Sequence, residues 1–144
     1  MERISIIIAT YKRSQQLARC LHSIDAAVKP REAIEVIVVD DGGDMNENDR
    51  PVFSHLPVKW LRLDRNLGQP GAQSAGASQA RGEILAFLDD DAIIDKNWVT
   101  AISNYFENNP GIDVVVGQIK AMSLDHILAR TRQQIYNHRH LRYT

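Results

Sequence analysis

The sequence predicts an α/β fold: an open, mostly parallel twisted sheet with helices on both faces. Three observations carry that reading. Short Ile- and Val-rich runs recur along the chain, bounded by glycine, proline and acidic residues. Segments whose apolar residues fall three or four apart alternate with those runs, which calls for parallel pairing through crossovers. The strand-like runs also tend to end in polar or acidic residues, so chemistry gathers at one edge of the sheet.

The elements follow in order. "RISIIIA", ending at Ala9, is short, continuous and β-branched, as a strand buried on both faces is. "TYKR" turns the chain, and Ser14 is the expected N-cap of a helix bearing Leu17, Cys20, Leu21, Ile24 and Val28. Lys29-Pro30 stops that helix. "IEVIVVDDGG" is the second strand, and "DMNENDRPVFSHL" is polar, with room for one helical turn. "VKWLRLD" is the third strand and "RNLGQPG" a loop. Residues 70–80, "PGAQSAGASQA", begin with a proline suited to a first helical turn. Ala72, Gly76 and Ala80 share one face of this helix, which leaves almost no side chain there and permits close packing. "EILAFL" is the fourth strand and runs into Asp89, Asp90 and Asp91. Asp95 is the expected cap of a helix carrying Trp98, Ile102, Tyr105 and Phe106, and "IDVVVGQIK" is the expected fifth strand. Ser123 opens a final amphipathic helix, residues 123–144, whose apolar stripe is expected to stay partly bare and to invite self-association or a partner.

With 144 residues the chain has the size of a single domain, 1–144. A net charge of −1 with mixed signs excludes the basic face of a nucleic-acid binder. Cys20 alone forms no internal disulfide, no apolar run nears a membrane span, and "ISIIIA" is too short for a secretory leader. A cytoplasmic protein, or one lying peripherally on a membrane, is the expectation.

The polar residues at the strand ends are Thr10 and Tyr11, Asp40 and Asp41, Asp64 to Asn66, and Asp89 to Asp91. Carboxylates so crowded suit a hard cation, Mg²⁺ or Mn²⁺, which takes one or two protein acids and completes its shell with water and phosphate. The plainer alternatives are helix capping by Asp91 or Asp95, and a solvated turn at Asp40 and Asp41. Arg65 and Arg81 are the nearby cations in the sequence, and the histidines show no ligand spacing tied to the acids.

Together these segments resemble the family 2 glycosyltransferases, which have the GT-A fold. The resemblance runs over about residues 3 to 120 and is carried by "ISIIIATYKRSQQLARCLHSI", "IEVIVVDDGG" and "NLGQPGAQSAGASQARGEILAFLDDDA". It implies that a sugar is transferred from a nucleotide-diphosphate sugar, a UDP-sugar by expectation, to a carbohydrate, lipid or other hydroxyl acceptor. Thr10 and Tyr11 would frame the nucleotide, and Asp40 with Asp41 would hold the base. Arg81 and the Gly68 to Gly71 loop would lie against base and ribose. Asp89 and Asp90 would bind on the donor side, and Asp91 with Asp89 would hold the metal. Family members usually continue well past this length, into an acceptor half that supplies a general base. The acids after Asp91 do not sit in that context, so no general base is assigned. The chain therefore reads as the donor-binding half of the fold. The alternative is a non-catalytic nucleotide-sugar-binding or assembly module. Haloacid dehalogenase-type phosphotransferases and receiver domains are poorer matches, because their acidic motifs belong at other strands.

Overall fold

The computed structural model describes residues 4–28, 33–43, 45–53 and 56–118. The chain divides into two compact units, Met1–Pro110 and Gly111–Thr144.

In the first unit, β1 (Ile4–Thr10), β2 (Ile34–Asp40), β3 (Val58–Arg62) and β4 (Ile84–Asp89) form one sheet in the order β3-β2-β1-β4. Every pairing is parallel. The connections carry helices α1 (Ser14–Ala27) and α2 (Gly68–Ala77), a short 3-10 turn at Glu47–Asp49, and α3 (Trp98–Asn108) follows β4.

The period-2 alternation of a strand sorts the core into two layers. Ile4, Ile6 and Ile8 of β1 and Val36 and Val38 of β2 face Leu17, Cys20, Leu21 and Ile24 of α1, with Val99 of α3 in the same cluster. Ile37 and Val39 face the other way, onto Ala72 of α2. The central strands are apolar on both faces because helices cover both, and each buried Ile or Val contributes about 1.5–3 kcal/mol. α2 lies unusually close to the sheet. A Cβ added to Gly76 would stand 2.6 Å from Ile7 Cγ2 and 3.0 Å from Val39 Cγ2. The small-residue face read from the sequence is thus what lets this helix seat.

Three local expectations need correction. Ser14 is the first residue of α1 rather than its cap; Arg13 holds the cap position and makes no side-chain capping bond. Asp95 does not cap α3 either, since Asn97 does so positionally. Instead Asp95 Oδ1 accepts from the Asn97 amide at 2.9 Å, an Asx turn just ahead of the helix. The fifth strand is absent from the described part of the second unit, where residues 111–118 carry no strand or helix. β-branched runs read as strands, but a strand exists only where a partner pairs with it. The rest of that run and the helix expected at 123–144 lie outside the described residues. Among the described residues no helix is long and apolar enough to cross a membrane.

Candidate functional site

Because the sheet is wholly parallel, its strands end at one edge, and their register brings the polar residues into line. Thr10 pairs with Asp40, Ala9 with Asp89, and Asp40 with Arg62. β2 and β4 flank β1, so Asp40 and Asp89 stand about 10 Å apart along this carboxyl edge, two strand spacings.

Neither acid of the β2 pair lies in a solvated turn. Asp40 is 4% exposed and Asp41 3%. Asp40 Oδ1 accepts from the Gly43 amide at 3.0 Å, which folds "DDGG" back on itself. Its Oδ2 is buried with no hydrogen-bond partner, and Arg62 Nε stands 3.9 Å away, beyond hydrogen-bond reach. Arg62 Nη2 donates instead to the Gly43 carbonyl at 2.6 Å. Asp41 Oδ1 accepts from the Leu67 amide at 2.7 Å and so fixes the loop that leads into α2. Gly42 makes that junction possible. Its φ is +73°, and a Cβ there would lie 2.5 Å from Arg65 C and Asn66 N.

The three aspartates after β4 separate by direction. Asp89 is exposed, and its Oδ1 accepts from Gln69 Nε2 at 2.8 Å, tying it to the first turn of α2. Asp90 is buried; its Oδ2 accepts from Thr10 Oγ1 at 2.8 Å and its Oδ1 from Arg13 Nη1 at 3.1 Å. Asp91 is exposed, with Oδ2 3.5 Å from the same Arg13 nitrogen. The like-charge crowding is thus relieved by one hydroxyl, one amide and one guanidinium. Beneath them Cys20 donates its thiol proton weakly to the Asp89 carbonyl, 3.6 Å away. Burial, then the charges of Asp90, Asp91 and Asp89, push that thiol up to about 12. Tyr11 is half-exposed at the same edge, with Lys12 Nζ 5.4 Å over its ring. Lys12 adopts φ +55°, a strained choice for a residue with a Cβ.

Of the residues expected at the site, Thr10, Tyr11, Asp40, Asp41, Gly68 and Asp89 to Asp91 lie at this edge, and Arg81 does not. Arg81 precedes β4, whose first residue, Ile84, pairs with Ile4 at the amino edge. There the buried Glu35 carboxylate takes the Arg81 amide at 2.6 Å and its guanidinium Nε at 3.3 Å, together with the Ser5 hydroxyl at 2.7 Å. The length of the strands, about 3.3 Å per residue, keeps Arg81 away from the acids. The sequence reading missed Arg13 and Arg62, and reached Gln69 only as part of the Gly68 to Gly71 loop. Arg13 sits in the turn after β1 and Gln69 at the start of α2, so the edge argument that found the acids applied to them too.

The acids match a divalent cation by chemistry, since Asp89 and Asp91 offer exposed, hard oxygen donors. Among the described residues no three His, Cys, Asp or Glu side chains form a ready cage. They fit an ion whose remaining ligands come from phosphate and water, as magnesium commonly takes.

A family profile described as Glycosyl transferase family 2 matches residues 5–143. A glycosyltransferase of Nostoc sp. is 33% identical over 118 residues, covering 78% of this chain and 35% of that protein. The S. aureus TarS structure in complex with UDP-GlcNAc superposes with a TM-score of 0.64 at 25% identity, over 83% of this chain and 38% of that one. A mannosyltransferase from Pyrobaculum calidifontis, solved in complex with GDP-Man and Mn²⁺, shares the fold with a TM-score of 0.58 at 22% identity, over 69% of this chain and 31% of that one. The chain spans about a third of the length of the curated relatives it matches first, 35%, 39% and 32% of them.

Proposed function

The chain belongs to glycosyl transferase family 2, and from that premise we propose that its carboxyl edge seats the nucleoside diphosphate of a sugar donor, a UDP-sugar, for transfer to a hydroxyl acceptor. The observation that carries the reading is the buried Asp40 Oδ2 without a hydrogen-bond partner, 3.9 Å from Arg62 Nε and set on the same edge as the exposed Asp89 and Asp91. A buried carboxylate oxygen with no hydrogen bond is costly, and a donor N–H from a nucleobase would supply one. Tyr11 offers a half-exposed ring at the same edge, and Thr10 fixes the turn through Asp90. Asp41 and Gly68 shape the loop, Asp41 by holding the Leu67 amide and Gly68 by its φ of +75° at the start of α2.

Asp89 and Asp91 would hold a Mg²⁺ or Mn²⁺ ion that, when bound, offsets the charge of the departing nucleoside diphosphate. The protein's own part is to present those two carboxylates outward while Thr10 and Arg13 keep Asp90 inward. The TarS complex with UDP-GlcNAc supports uracil as the base, whereas the mannosyltransferase is in complex with GDP-Man. Calorimetric titration with UDP and with GDP, each with and without Mn²⁺, tests the proposal. The expected result is UDP binding strengthened by Mn²⁺. A preference for GDP would keep the site and change the base, whereas no heat from either nucleotide would overturn the reading.

A further inference from the structure

Arg13, in the turn after β1, stands against the acid triplet. Its Nη1 lies 3.1 Å from Asp90 Oδ1 and 3.5 Å from Asp91 Oδ2, so one nitrogen faces two carboxylates. The two contacts differ. The Asp90 side chain is 8% exposed and is also held by Thr10, whereas the Asp91 side chain is 58% exposed and only approached. Solvent screens the Asp91 contact, which makes it weak and easily exchanged, while the buried Asp90 contact is retained.

We propose that Arg13 is the resident counter-cation of the acid triplet and competes with a divalent ion for Asp91. It is a positioning residue that makes metal binding depend on the diphosphate. The inference rests on the nucleotide-diphosphate reading of this edge. An ion at Asp91 would face the guanidinium charge across a few ångströms, and like charges that near disfavour it. The negative charge of a bound diphosphate offsets that repulsion. The metal then binds poorly alone and well with nucleotide, which keeps an exposed acid pair from scavenging free cations.

The test is Mn²⁺ binding to the intact chain, followed by the electron paramagnetic resonance of free Mn²⁺ without nucleotide. Arg13→Gln is expected to bind Mn²⁺ roughly three- to tenfold more tightly than the parent, because one nearby positive charge is gone. Arg13→Lys keeps the charge and is expected to stay near the parent. If glutamine unfolds the turn, Arg13→Met, which keeps the aliphatic stem, takes its place. A purely structural role for Arg13 would weaken Mn²⁺ binding, so tightening separates the two accounts. Equal or weaker binding by a folded Arg13→Gln, with the parent binding measurably, would overturn the competition and leave the site reading standing. If neither parent nor variant binds Mn²⁺ without nucleotide while added UDP still recruits the ion, Arg13 is not what holds the ion off, and this inference falls with the site reading standing.

Discussion

Thr10 Oγ1 donates to Asp90 Oδ2 across 2.8 Å, joining the ends of β1 and β4 although the two residues lie 80 apart in sequence. Both are buried, so the bond is made out of water. Thr10→Val keeps the shape and deletes the donor, leaving one buried carboxylate oxygen unpaired. We expect a loss of about 1–3 kcal/mol and a melting temperature lower by roughly 3–10 °C in calorimetry. An unchanged melting curve would show that Asp90 rests on Arg13 alone.

Gly76 is where α2 touches the sheet. Gly76→Ala gains up to about 1 kcal/mol in helix propensity but drives a methyl into Ile7 and Val39, 2.6 Å and 3.0 Å from the new carbon. Overpacking of this kind costs about 1–3 kcal/mol, so the net change is destabilising, and Gly76→Leu is worse. Urea denaturation of both variants checks the order; an alanine variant more stable than the parent would mean that α2 slides freely.

Glu35 gives the pH dependence. Burial pushes its carboxyl up, but the bonds from Ser5 and from the Arg81 amide and guanidinium more than reverse this, leaving it below its ordinary 4.5. A carboxyl held low in the fold stabilises fully above the unfolded value and loses that contribution as pH falls through the folded one. The parent should therefore lose stability below about pH 4.5 more steeply than Glu35→Gln, which lacks the titrating group. Parallel curves of denaturation midpoint against pH would remove Glu35 from the account.

Cys20 should be inert. It is fully buried, and burial with the nearby aspartates pushes its thiol up to about 12, so almost no thiolate exists at pH 8. Alkylation by iodoacetamide, followed by mass spectrometry, should proceed only on unfolding. Rapid labelling of the folded chain would mean that the α1 layer opens locally.

The four strands, their parallel pairing and the α2 packing face were legible because each leaves a local pattern: β-branched runs for β1 and β2, a short apolar run for β4, and Ala72 and Gly76 four apart. The acids at the carboxyl edge followed from that topology. What stayed hidden depends on contacts between distant residues. Arg81 looks like a neighbour of the acids in sequence, yet it stands on the far side of β4, bound to Glu35 46 residues away. Arg13 and Asp90 are 77 residues apart, and no periodicity links them. The run 112–118 has strand composition without a strand, since composition does not supply a pairing partner.

The most direct test is UDP titration in the presence of Mn²⁺ for the parent, Asp91→Asn and Asp40→Ala, each confirmed folded. The parent should bind, Asp91→Asn should lose the Mn²⁺-dependent part of the affinity, and Asp40→Ala should be weakened whether or not Mn²⁺ is present. Affinities equal to the parent's in both variants would contradict the proposed site, because the carboxyl edge would then hold neither metal nor base.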